Sequence, residues 1–162
     1  MTTTLKMPAN ALTISHKTAF AALTTQLRTT LDTLGELAIP ADRQLREEAQ
    51  RLGLDPTVPT HWIYTNFSGH ADDEFDLEIA LPVDVPTTTS PNPGAMRDVP
   101  AFRCAEYTHL GPWSELSAVY DTLFQQFYAE DHLYNGCVRE IYRVVDWENQ
   151  ASCITDIQIG IA

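Results

Sequence analysis

Glycine is scarce in this chain, and so are basic residues, paired histidines and long apolar runs. Seven glycines in 162 residues leave little material for a phosphate cradle. Neither a GxGxxG fingerprint nor a P-loop is present, and no nucleophile elbow or HExxH helix can be found. Lys and Arg total 10 against 22 Asp and Glu, a formal charge of −12, and the cations do not cluster. Nucleic-acid binding needs several cations in one place to displace counterions from phosphates, so the composition argues against direct contact with DNA or RNA. Cys104, Cys137 and Cys153 are far apart with no CxxC pair, and the five histidines form no HxH or HxxxH pair. Zinc sites need closer ligand spacing. The expectation is three buried, reduced thiols, no metal and no cofactor. No apolar run approaches the ~18–20 residues that span a bilayer. Met1 to Pro8 also lacks the apolar centre of a signal peptide. The reading is a cytoplasmic protein without a membrane partner.

What is present is enough apolar residue, 44%, to fill a core, arranged in an order that occurs twice. Residues 1–11 are Thr-rich and read as a flexible N-terminus. Thr18 to Arg28 reads as a strand. Leu31, Leu34, Leu37 and Ala38 take helical spacing, Pro40 interrupts it, and a second helix runs from Ala41 to Leu52. His61 to Phe67 is an aromatic, alternating strand. Phe75, Leu77, Ile79, Leu81 and Val83 then alternate against Glu74, Asp76 and Glu78. Residues 85–96, rich in Pro and Thr, read as a linker between repeat one (12–84) and repeat two (97–162).

The second repeat has a strand from Pro100 to Thr108, a junction at Gly111-Pro112 and a helix from Pro112 to Ala129. Leu116, Val119, Tyr120, Leu123, Phe124 and Phe127 form one face of that helix. Strands follow at Val138–Val145 and Ile154–Ile161, with a turn at Trp147–Gln150 between them. Phe20 aligns with Phe102, Ile63-Tyr64 with Ile141-Tyr142, and Asp76 to Ile79 with Asp156 to Ile159, each about 80 positions apart. The fold class is α+β. Two β-α-β-β units are related by a pseudo-twofold axis, with antiparallel strands, helices packed on one side and a ligand cleft between the halves.

Period-two geometry puts Glu140 and Tyr142 on one face of their strand and Ile141 on the other. The matching residues of the first copy are Trp62 and Tyr64, so the pseudo-twofold gathers all four. A carboxylate among aromatic rings suits a flat or cationic organic ligand. The competing reading is an exposed Glu140 paired with Arg139 or Arg143. Tyr107, His109, Trp113 and Tyr120 cluster around the strand–helix junction, where core packing and a structural, hydrogen-bonded His109 would also account for them. Asp72, Asp73, Glu74, Asp76 and Glu78 lack the order and the glycine of an EF-hand and read as a solvated face.

Tyr107-Thr108-His109-Leu110-Gly111-Pro112-Trp113, then Tyr120, then Arg139-Glu140-Ile141-Tyr142, then Thr155 to Ile159, resemble the GyrI-like small-molecule-binding domain. That domain, with a SOUL-like fold, is also the effector-binding domain of some AraC-type and MerR-type transcription regulators. The resemblance covers the chain from about Leu12 and implies the same duplicated fold and multidrug binding, with many lipophilic cations among the ligands. It places the central acid on Glu140 and an aromatic wall on Trp113, Tyr120 and Tyr142. Trp62 and Tyr64 join that wall as candidates from the first half, and Tyr107 from the junction. Unlike the regulators, the chain is expected to carry no DNA-binding domain, since residues 1–11 cannot hold a helix-turn-helix. A sensor or sequestering module for a small molecule is the first expectation. The second is a hydrolase of cyclopropane-bearing genotoxins, as in some stand-alone members, with Glu140 as the catalytic residue that handles water. The third is a gyrase-inhibitor-like role with a protein partner, or a homodimer.

Overall fold

Alternation sets the strands. On Phe75–Pro82, Phe75, Leu77, Ile79 and Leu81 are all buried on one face, which is what a half-covered sheet requires. A computed structural model describes residues 12–84 and 96–162. Its strands are β1 (Thr13–Lys17), β2 (Phe20–Thr29), β3 (His61–Thr65), β4 (Phe75–Pro82), β5 (Met96–Val99), β6 (Phe102–Leu110), β7 (Tyr134–Val144) and β8 (Ile154–Ile161). Its α-helices are α1 (Leu34–Arg51) and α2 (Leu116–Ala129). No helix among the described residues is long and apolar enough to cross a membrane.

The strands form one antiparallel sheet in the order β1-β6-β8-β7-β3-β4-β2-β5. The β-α-β-β unit appears as β2–α1–β3–β4 and again as β6–α2–β7–β8, each preceded by one strand more than the sequence predicts. These extra strands are exchanged: β1 pairs with β6 of the second half, and β5 pairs with β2 of the first. The pseudo-twofold passes between β3 and β7, where Trp62 lies directly opposite Glu140, its own counterpart. Ala38, Leu45 and Ala49 of α1 and Val119, Leu123 and Phe127 of α2 share one core with Leu23, Leu77, Ile79, Val138, Ile157 and Ile159. Both helices therefore cover the same face. A smaller cluster of Ala22, Ile63, Ala80 and Val99 lies on the other.

Several expectations are corrected. Pro40 does not interrupt a helix; α1 runs through it. Glu36 and Pro40 both face solvent, so water can take the carbonyl that the missing N–H leaves free. The second helix begins at Leu116 rather than Pro112, after a 3₁₀ turn at Trp113–Glu115 that Pro112 precedes with an extended ψ of 152°. Glu78 is buried, because Arg97 clasps it with two hydrogen bonds of 2.6 Å, so only part of that acidic stretch is a solvated face. Cys137 is half-buried, unlike Cys104 and Cys153. Met96, assigned to the linker, begins β5. The rest of the linker and the N-terminal residues 1–11 lie outside the described residues.

Candidate functional site

The sheet lays the floor first. Steps of two along β7 and β3 raise Glu140, Tyr142, Trp62 and Tyr64 toward the helices. The apolar stripe of α2 turns Tyr120 down toward them, and α1 forms the facing wall. The cleft between holds about 1400 Å³.

Glu140 is its electrostatic centre. The Tyr64 and Tyr142 hydroxyls donate to Oε1 at 2.8 and 2.5 Å, and Tyr120 donates to Oε2 at 2.5 Å. The residue is only 5% exposed. No arginine pairs with it: Arg139 belongs to the opposite face and donates to the Pro100 carbonyl, while Arg143 pairs with Asp156 at 2.7 Å. The alternative of an exposed, ion-paired Glu140 is thus overturned. Burial, and then the negative charge of Glu140, push the pKa of all three tyrosines well above its ordinary value. They are neutral donors throughout the working pH range.

Aromatic rings surround the acid. Trp62 meets Tyr142 edge-on with centroids 4.9 Å apart. Trp113 meets Tyr142 at 6.2 Å and Trp147 at 4.9 Å. Trp113 is carried on the 3₁₀ turn, with its indole N–H directed to Thr155 Oγ1 at 3.3 Å. Gly111 makes that turn possible. Its φ is +136°, its N–H donates to the Cys153 carbonyl, and an added Cβ would sit 3.2 Å from Glu115 Oε1. His109 is buried with Nε2 3.2 Å from the Pro112 carbonyl, which makes it a structural brace of the same turn.

Glu140, Trp113, Tyr142, Tyr120, Trp62 and Tyr64 therefore meet around one cleft. Tyr107 does not. It lies in the same cross-strand row as Glu140, but on β6, with Ile157 of β8 between them. Sequence reasoning missed Asp42, whose carboxylate accepts from Arg46 at 2.8 Å, Thr60 at 2.7 Å and the Trp62 indole at 3.0 Å. It also missed Arg43 on the α1 wall and Trp147 at the rim. Trp147 left a signal, since a tryptophan in a turn, here 60% exposed, is seldom a packing residue. Among the described residues no group of side chains has the arrangement of a metal site.

The family model of the GyrI-like small molecule binding domain matches residues 11–162. The chain belongs to this GyrI-like family. None of the curated proteins is a significant match. Among solved structures, the chain is similar to the C-terminal domain of EcmrR, with a TM-score of 0.72, 19% identity and coverage of 93% of this chain and 96% of that one. It is similar to SAV2435 bound to tetraphenylphosphonium, with a TM-score of 0.60, 8% identity and 93% of each chain covered. A hydrolase from Listeria innocua has a TM-score of 0.59 and 12% identity, over 96% of this chain and 94% of that one. At these identities the likeness is one of fold.

Proposed function

We propose that this GyrI-like domain holds a flat, lipophilic organic cation in the cleft and acts as a sensor or sequestering module. One observation carries the reading. Glu140 is a buried carboxylate whose hydrogen-bond partners among the described residues are neutral hydroxyls. Three donors stabilise the anion without cancelling its charge, and the ring faces around it attract cations. The binding of tetraphenylphosphonium by SAV2435, which shares the fold, is in keeping with a lipophilic aromatic cation, though that ion is tetrahedral rather than flat. Both Glu140 oxygens already accept hydroxyl protons, which leaves less capacity for activating water. Hydrolysis of cyclopropane-bearing compounds therefore ranks second. A gyrase-inhibitor-like protein partner rests on surface acidity alone and ranks third.

The test is titration of tetraphenylphosphonium and planar aromatic cations, beside neutral compounds of similar shape, against wild type and Glu140→Gln. The substitution keeps the shape and removes the charge. Cation binding should weaken by about 1–3 kcal/mol, the scale of a charge-assisted contact, while the neutral compounds change little. Equal losses for both classes would sink the counter-charge role. Recovery of less intact ligand than was loaded would put the hydrolase first.

A further inference from the structure

Duplication would give the two walls of the cleft matching side chains, yet they differ in charge. The offset that makes Trp62 and Glu140 counterparts also matches Asp42 with Tyr120 and Arg43 with Asp121, all six lining the cleft. On the α1 wall Asp42 and Arg46 neutralise each other at 2.8 Å. Arg46 is further fixed by the carbonyls of Pro56 at 2.7 Å and Val58 at 3.0 Å. Arg143 is engaged by Asp156. Arg43 has neither a hydrogen bond nor an ion pair among the described residues. Its counterpart on the α2 wall, Asp121, is equally unengaged, and Glu140 has only hydroxyl partners. Among the described residues the cleft therefore offers negative charge on the floor and the α2 wall, and one unengaged positive charge on the α1 wall. In a chain with more than twice as many acids as bases, acidity of the whole surface does not explain that.

Resting on the reading above, we infer that the cleft takes an aromatic zwitterion. Its cationic ring system lies toward Glu140 and the rings around it, and its carboxylate or other anionic group lies toward Arg43. Arg43 is then a specificity-determining residue. An exposed guanidinium meeting a mobile anionic group gains modestly in water, so it selects among cations rather than supplying most of the affinity.

A matched pair of dyes tests this: a rhodamine bearing a free carboxylate, and the methyl ester of the same dye, each titrated by fluorescence anisotropy. Wild type should bind the zwitterion about threefold tighter than the ester. Arg43→Gln should abolish that preference without weakening the ester, since it removes a like charge from the cleft, and Arg43→Glu should invert it. Arg43 is exposed on α1, and circular dichroism of both variants should match wild type. Equal wild-type affinity for the two dyes, or equal weakening of both by Arg43→Gln, overturns the inference and leaves the cation reading standing. If wild type binds neither dye, or Glu140→Gln leaves ester binding intact, the cation reading fails and takes this inference with it.

Discussion

In the first half of the cleft the strand residue Trp62 donates its indole N–H to the helix residue Asp42 at 3.0 Å. In the second half the helix residue Tyr120 donates its hydroxyl to the strand residue Glu140 at 2.5 Å. The positions correspond, and the direction of the hydrogen bond is reversed. The first acid sits on a wall, where Arg46 neutralises it; the second sits on the floor, where no charged group among the described residues pairs with it. One backbone plan thus yields a neutral wall and a charged floor. The helices differ in the same sense. Buried positions on α1 are Ala38, Leu45 and Ala49, whereas those on α2 are Val119, Leu123 and Phe127. Small residues let α1 lie closer on the sheet than α2 does. Bulk beneath α2 holds it off the sheet, and from there the long Tyr120 side chain reaches Glu140.

The largest break in this comparison comes from making α2 resemble α1. Phe127 is fully buried and corresponds to Ala49. Phe127→Ala should cost about 3–5 kcal/mol in urea unfolding, by lost transfer energy and the cavity left behind. A cost below about 1 kcal/mol, too little for a buried ring, would mean that α2 is not held up by that side chain.

On the far side of the sheet the contrast is between a cation that can shed its charge and one that cannot. His61 and Arg139 precede Trp62 and Glu140, and each packs against a phenylalanine ring. His61 lies 4.8 Å from Phe20, and the Arg139 guanidinium is 3.9 Å over Phe102. Burial, then the Arg139 charge, bring the His61 pKa down to about 4, against about 6.5 in an unfolded chain. Above that higher value both states are neutral and His61 contributes no slope. As pH falls from 6.5 toward 4 the unfolded chain takes a proton that the folded one refuses, so stability is lost; below 4 the effect levels off. The loss is at most about 3 kcal/mol. His61→Gln should remove this part of the pH dependence. A wild-type-minus-variant difference that stays flat across the window would show that His61 does not drive it.

These particulars explain how much could be read in the sequence. β4 and β8 alternate apolar residues with acidic or polar ones in sequence, so their pattern is plain even though residues on both faces are buried. β1 and β5 are edge strands of five and four residues, and Arg97-Asp98 in β5 gives no apolar rhythm. Edge strands have a partner on one side only and keep polar residues, which hides them. Glu140, Tyr142 and Tyr64 were legible because period-two spacing fixes the face. Asp42 and Arg43 were not, because on a helix they look like any solvated face until β3 and β7 open a cleft beside them. Tyr107 was misplaced because face is readable from alternation, whereas the number of strands between two residues depends on sheet order. That order turns on the strand exchange, which leaves no local signal.

The smallest effects decide whether the reversed hydrogen bonds matter. Tyr120→Phe removes one of three donors from a buried carboxylate and should cost about 1.5–3 kcal/mol, the range for bonds to charged groups. Trp62→Phe also removes one of three donors, but Asp42 keeps Arg46 and Thr60 in a partly exposed, charge-neutralised site, so about 0.5–1.5 kcal/mol is expected. The decisive measurement repeats each change without the charge. In a Glu140→Gln background Tyr120→Phe should become cheaper by about 1 kcal/mol or more, a coupling typical of residues in direct contact. In an Asp42→Asn background the coupling to Trp62→Phe should be smaller, because Arg46 already neutralises the Asp42 charge and water reaches that wall. If Tyr120→Phe costs the same with Glu or Gln at position 140, its hydroxyl is packing rather than holding a charge. The floor of the cleft would then be no more electrostatic than its wall.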